Sequence, residues 1–217
     1  MPCLAPSEFL TPDLTRLIGT AAETIIEADY LADVKRVSFF PRSKTDFADF
    51  SHGFGNTALY LAFLKANHPT LSVSQLALVS AAGDLKIPDI MTNDPARRTE
   101  FYEIKPNSVD GRAAGLTKVA FIAALVTSVA LPYIPGVQYK PNKKIRFFSG
   151  LVLGHKIDIF FHFERKTPGL ILYEFCVEGD LSGLALDLLL AVVAAAVVAA
   201  FLALAELIAA GGALVLA

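Results

Sequence analysis

The sequence KIPDIMTNDPARRTEFYEIKP, from Lys86 to Pro106, holds the strongest local pattern in the chain. Two apolar segments flank the turn-forming residues Asn93-Asp94-Pro95. The second segment is rich in the β-forming residues Phe, Tyr and Ile, and Pro106 ends it. The pattern predicts a strand over Lys86–Met91, a loop, and a second strand over Thr99–Lys105 that can pair with the first.

Charged side chains in this stretch lie where two paired strands would bring them together. Successive side chains of a strand point to opposite faces, so Glu103 and Lys105 share one face and Ile104 points into the core. If the strands pair, Asp89 sits beside Glu103, and adjacent carboxylates repel unless positive charge lies between them. A divalent cation would supply that charge, whereas an ordinary solvated hairpin would need none. The residues alone leave both interpretations open.

Pro88-Asp89, followed after thirteen residues by Glu103-Ile104-Lys105, resembles the signature of the PD-(D/E)xK nuclease superfamily. The run YEIKP, followed by a polar turn and a Gly/Ala-rich helix, is similar more narrowly to nuclease domains of bacterial polymorphic toxins, including type VI secretion effectors. The resemblance covers roughly residues 83–131. It implies that Asp89, Glu103 and the carbonyl of Ile104 bind Mg²⁺ or Mn²⁺, and that Lys105 serves the attacking water.

The same resemblance implies a restriction-endonuclease-like fold and a metal-dependent nuclease, with DNA favoured over RNA as the substrate. Such a toxin is secreted by the producing bacterium and acts in the cytoplasm of the target cell. A cognate immunity protein blocks it in the producer. Glu23 and Glu27 of the first helix are candidates for an accessory acidic group, although such residues more often form a solvated helix face. Lys118 is a candidate polar group in the helix after the lysine strand.

Basic residues near the candidate site could contact the phosphates of a nucleic acid. Arg97 and Arg98 lie in the loop beside it, and Arg112 opens the following helix. A Pro/Gly-rich link further along could either grip phosphates or form an ordinary soluble loop; it carries Lys140, Lys143 and Lys144. Without residues 181–217 the chain has 19 basic and 19 acidic residues, which argues against histone-like coating of nucleic acid.

The remaining patterns predict an α+β fold with a mixed sheet flanked by helices. Apolar residues at helical spacing predict helices at 11–34, 57–66 and 112–131. Residues 75–80 fit either a strand or a short helix. Alternation of period two from Ile145 to Glu178 predicts a hairpin. We expect a nuclease-like domain over residues 1–180, followed by a helical tail over 181–217.

The tail is almost uncharged, since Asp187 and Glu206 are its two charged residues. Residues 188–205 form an unbroken apolar run of 18. As a helix this run would span about 27 Å, close to the thickness of a membrane's hydrocarbon core. It could insert into a bilayer, or it could pack against the domain or a partner such as a chaperone. A membrane-active protein is therefore one rival interpretation, and a non-catalytic binding module is another.

The two cysteines, Cys3 and Cys176, lie far apart in the sequence. Two such residues suggest neither a disulfide framework nor a zinc site, so we expect reduced thiols in a cytoplasmic environment. The opening residues MPCLAPSEFLTPD lack the basic and apolar regions of a secretory signal. None of the four histidines has metal-ligand spacing to another histidine.

Overall fold

The protein is described by a computed structural model that covers residues 2–34, 38–41, 57–83, 86–94, 98–152, 154–179 and 186–209. These residues form a mixed, eight-stranded sheet with helices packed on both faces. The predicted α+β class, with a mixed sheet flanked by helices, is confirmed.

The described residues form five α-helices, one 3₁₀ turn and eight strands. The helices are α1 (Pro12–Asp33), α2 (Thr57–Asn67), α3 (Val73–Ala81), α4 (Val109–Ser128) and α5 (Leu186–Ala209), and a 3₁₀ turn covers Pro6–Glu8. The strands are β1 (Cys3–Leu4), β2 (Ser38–Pro41), β3 (Ile90–Asp94), β4 (Arg98–Pro106), β5 (Ile134–Pro135), β6 (Asn142–Val152), β7 (His155–Thr167) and β8 (Leu170–Gly179).

The sheet has the strand order β2-β3-β4-β8-β7-β6, with β1 beside β8 and β5 beside β4. The pairs β2–β3, β3–β4, β6–β7 and β7–β8 are antiparallel. Strand β4 is parallel to β8, and parallel neighbours need a long crossover connection. Here that connection includes α4 and the β6–β7 hairpin, so α4 packs directly behind the strand that carries Glu103.

The predicted strand pair is confirmed, with different ends. Strand β3 begins at Ile90, so Asp89 immediately precedes it instead of lying within it. Ile90 pairs with Tyr102, and the pairing continues to Asp94 and Arg98. Residues 92–94, which we expect in the loop, therefore belong to the strand because the ladder with β4 extends over them. Residues 75–80 lie in a helix, which Ser72 caps by accepting from the Gln75 N–H.

Helix α4 is held unusually close to the sheet by two glycines. A Cβ on Gly111 would lie 2.3 Å from the Pro106 carbonyl oxygen, and one on Gly115 would lie 2.5 Å from Leu170. The Ser108 hydroxyl accepts the Gly111 N–H at 3.0 Å, so the helix begins at Val109 and not at the predicted residue 112. This close approach brings Lys118 to the strand β4.

Two apolar cores lie on opposite faces of the sheet, because alternate residues of each strand point in opposite directions. The first core packs α1 and α5 against Tyr102, Ile104 and the aromatic residues of β7 and β8. The second packs α2, α3 and α4 against Met91, Phe101 and Leu172. The candidate site lies where the start of β3 meets the end of β4, between these layers.

The apolar tail forms α5, and one side of it is part of the first core. Leu189, Val193 and Val197 recur at intervals of four residues, and all three are buried. No helix within the described residues is both long enough and apolar enough to cross a membrane. The buried residues of α5 support the interpretation that the tail packs against the domain. Contact of residues 188–205 with a membrane or chaperone stays a prediction. The division of the chain at residue 180 also stays a prediction.

The expectation that the cysteines stay unpaired is wrong, because Cys3 and Cys176 form a disulfide bond. Strand β1 pairs with β8 and sets these two residues directly opposite one another. Their sequence separation of 173 residues hides this proximity from any local pattern. The bond ties the N-terminal segment to the centre of the sheet.

Reduction of this disulfide should lower the free energy of unfolding by about 2–5 kcal/mol, because the bond closes a very long loop and so restricts the unfolded chain. For a chain of this size the loss corresponds to a fall in Tm of roughly 5–15 °C. Thermal unfolding with and without dithiothreitol measures it. The Cys3→Ala variant should unfold like the reduced protein and should not respond to dithiothreitol. An unchanged Tm on reduction of the native protein would contradict the prediction.

Candidate metal-binding site

Asp89 and Glu103 lie side by side and are completely buried, each with 0% of its surface exposed. Asp89 reaches across to β4, where its Oδ2 accepts the Ile104 N–H at 2.7 Å. This bond fixes the orientation of the Asp89 carboxylate relative to the Glu-x-Lys triplet. The structure therefore brings together the two carboxylates and the Ile104 main chain, as the sequence predicts.

Two lysines neutralise these carboxylates. The Nζ of Lys105 donates to Glu103 Oε1 and to the Ile104 carbonyl oxygen at 3.0 Å, and it lies 3.7 Å from Asp89 Oδ2. The Nζ of Lys118, from α4, lies 2.8 Å from each Glu103 carboxylate oxygen and 3.7 Å from Asp89 Oδ1. We call Asp89, Glu103, Lys105 and Lys118 the buried quartet.

The two lysines differ in their access to solvent. The Lys118 side chain is 6% exposed, whereas the Lys105 side chain is 23% exposed. Burial lowers the pKa of Lys105, but the charges of Asp89, Glu103 and Glu23 outweigh burial and raise this pKa above its usual value. The carboxylates therefore favour the charged form of Lys105, and its Nζ donates hydrogen bonds in this arrangement.

Both accessory candidates lie on α1, and one that influences the site electrostatically is Glu23. Its charge raises the pKa of Lys105, and it joins burial and Asp89 in raising the pKa of Tyr173. Glu27 is 6% exposed, so the expectation of a solvated glutamate face is wrong for this residue. Helix α1 contacts both the sheet and α5, and so more than one of its faces is covered.

The donor atoms of the site fit a divalent cation of the Mg²⁺ or Mn²⁺ type. Two carboxylates and a main-chain carbonyl are hard oxygen ligands, which these cations prefer. Oxygens from Asp89, Glu103 and Ile104 all lie around the Lys105 ammonium, so they face a common point. A cation could use the same oxygens if Lys105 moved away from them.

Among the basic candidates that the structure describes, three are engaged by other side chains. Lys143 pairs with Asp29 at 3.2 Å, and Lys144 pairs with Glu178. These lysines are neighbours on β6 and so point to opposite faces of the sheet. Arg112 is exposed at the start of α4, where its Nε donates to Asn107 at 2.7 Å, and Lys140 is exposed. Arg97 and the side chain of Arg98 lie outside the described part of the chain.

A second polar group lies across β7 and β8, where His162, Glu164 and Glu174 bring potential ligand atoms within 4.8 Å of one another. The sequence does not reveal this group, since His162 and Glu174 meet only through strand pairing. The imidazole Nδ1 lies 3.1 Å from Glu174, and Asn107 donates to the same carboxylate. These bonds engage both oxygens of Glu174, and Lys166 pairs with Glu164.

Tyr173 belongs to the first core, and the charges of Glu23 and Asp89 reach it there. Lys118 has no recognisable motif, and only the close packing of α4 places it against Glu103. No family model, curated protein or solved structure matches this chain. A functional conclusion therefore depends on the geometry of the buried quartet.

Proposed function

We propose that this protein is a metal-dependent phosphodiesterase that cleaves nucleic acid, with DNA favoured over RNA. The observation that supports this proposal best is the convergence of Asp89, Glu103 and the Ile104 carbonyl on one cationic group. Carboxylates are rarely fully buried unless they are paired, and both of these have 0% exposure. Their charges raise the pKa of Lys105, and perturbed ionisable groups of this kind are concentrated at functional sites.

Each residue of the site has a separate role in the proposed reaction. Asp89 is oriented by the Ile104 N–H, and Glu103 is oriented by Lys118. A bound Mg²⁺ or Mn²⁺ would supply Lewis-acid charge for phosphate oxygens. Lys105 is the most exposed member of the buried quartet, so it is the group that a phosphodiester would meet. As a protonated amine it would donate a hydrogen bond to the phosphate and stabilise negative charge that builds there.

The restriction-endonuclease-like fold belongs to the same proposal. Its support is the place of each residue: Asp89 directly before β3, the Glu-x-Lys triplet on the neighbouring β4, and α4 packed behind them. Secretion as an interbacterial toxin, and inhibition by an immunity protein, rest on the resemblance of the YEIKP segment alone. Expression of the active form in a bacterial cytoplasm should then reduce viable counts, and expression of Asp89→Ala should not.

Plasmid digestion tests the activity directly. The native protein should cut plasmid DNA in the presence of Mg²⁺ or Mn²⁺ and should stop when EDTA is added. Asp89→Ala and Lys105→Ala should fail to cut, because one loses a metal ligand and the other loses the cation that faces the phosphate. Lys156→Met removes the same charge as Lys105→Ala from an exposed position and should cut normally. Cutting in EDTA, or by Asp89→Ala, would refute the proposal.

A non-catalytic binding module is the second candidate, and one observation favours it. Each carboxylate of the buried quartet lies within 4 Å of both lysines, so the four side chains can act as a purely structural ion network. Metal titration separates the two candidates, since a purely structural network should bind neither Mg²⁺ nor Mn²⁺ at millimolar concentrations.

A further inference from the structure

The ammonium of Lys105 lies at the point on which the oxygens of the site converge. It donates to Glu103 Oε1 and to the Ile104 carbonyl, and it lies 3.7 Å from Asp89 Oδ2. These are the donor groups that a divalent cation would need. A cation at this point would require each oxygen at about 2.0–2.2 Å, which leaves no room for an ammonium among the same atoms.

We propose that Lys105 is a displaceable stand-in for the divalent cation, which must expel the ammonium from the carboxylates in order to bind. This inference rests on the proposed function for the identity of the cation. The Lys105 side chain can move into solvent, because 23% of it is already exposed. The Lys118 side chain cannot move in this manner, because it is 6% exposed and comes from α4, which packs closely against β8 at Gly115. Lys105 is therefore the exchangeable cation and Lys118 the permanent one.

The charges around the site agree with this exchange. Glu23, Asp89 and Glu103 supply three negative charges that act on Lys105, and Lys118 supplies one permanent positive charge. The surroundings of Lys105 therefore favour a cation at this point. A divalent ion would bring one more positive charge there than the ammonium it replaces.

Displacement would also prepare the lysine for substrate. While it is bound to Glu103 and Ile104, the Lys105 ammonium has two of its donors engaged by protein oxygens. Once expelled towards solvent, the same donors would be free to bind a phosphate oxygen. Metal loading and exposure of the lysine would then be one event.

Isothermal titration with Mn²⁺ tests the exchange without any measurement of activity. Lys105→Met should bind Mn²⁺ about ten- to a hundredfold more tightly than the native protein, because a charge-assisted hydrogen bond no longer competes. Lys105→Gln gives the same comparison with a polar side chain, in case methionine disturbs the fold. Lys156→Met is the matched control and should leave the affinity unchanged. Asp89→Asn should abolish binding in either background.

The outcomes separate this inference from the proposed function. Equal or weaker Mn²⁺ binding by both Lys105 variants would overturn the exchange, even if the native protein cuts DNA. Tighter binding by both variants, in a protein that never cuts nucleic acid, would support the exchange and refute the nuclease. Absence of Mn²⁺ binding in every variant would refute both.

Discussion

Replacement of Lys118 by methionine should lower the free energy of unfolding by about 3–5 kcal/mol, because removal of one partner leaves buried charge uncompensated. Asp89 and Glu103 have 0% exposure, so water cannot solvate the charge that Lys118 now neutralises. Methionine has a similar length and no charge, which keeps the packing of α4 against β4 nearly intact. Urea denaturation at pH 7 in the presence of EDTA measures the loss.

Control variants show whether the loss of stability in Lys118→Met arises at the buried quartet. Lys156→Met removes the same charge from an exposed position and should change stability by less than about 0.5 kcal/mol. Glu103→Gln, added to Lys118→Met, should recover part of the loss because it removes the excess negative charge. Additive losses in this pair would mean that the two residues do not interact, against the 2.8 Å contact between them.

The stability of Lys118→Met in the presence of divalent cations also tests the proposed function. Mg²⁺ or Mn²⁺ binds the folded state, and so it should restore stability to Lys118→Met in proportion to the logarithm of its concentration. A purely structural ion network would show no such recovery. Recovery in Lys118→Met, but not in Lys118→Met/Asp89→Asn, would locate the cation at the buried quartet.

Replacement of Glu103 by glutamine should reduce kcat/KM for DNA cleavage by a factor of about 10³ or more, since the charge stabilisation lost is worth several kcal/mol. Glutamine has nearly the same shape as glutamate, so the change removes charge and little volume. Cleavage of a labelled duplex at saturating Mg²⁺, well below the Tm of the variant, measures the effect. Asp187→Asn removes an exposed negative charge of α5 and should cleave normally.

The combined effect of two substitutions on kcat/KM tests more sharply whether Asp89 and Glu103 act together. If Asp89 and Glu103 hold one cation together, the double variant Asp89→Asn/Glu103→Gln should be little worse than either single variant. Two independent contributions would multiply instead. Activity of Glu103→Gln within tenfold of the native protein would contradict a role for Glu103 in cation binding.

Local patterns in the chain were enough to predict the parts of the fold that arise from neighbouring residues. The apolar stripe of α1 and the alternation of β7 and β8 each repeat within a few residues. Their periods follow from backbone geometry, so they are visible without any tertiary contact. The same reasoning places Asp89 beside Glu103, because a single hairpin joins them.

Contacts between distant parts of the chain lay beyond such patterns. The Cys3–Cys176 bond depends on β1 pairing with β8, and the burial of Glu27 depends on how α1 is covered by the sheet and α5. Each of these results needs the packing of whole elements, which no window of sequence contains.

The candidate site shows both kinds of information at once. Its acidic pair and Lys105 come from one continuous segment, and their residue types and spacing alone make a cation site a reasonable hypothesis. The second counter-ion, Lys118, and the added charge of Glu23 come from two helices, and only the folded chain brings them to that pair. Charge balance at a buried site is a sum over everything nearby in space, and sequence neighbours are only a fraction of that sum.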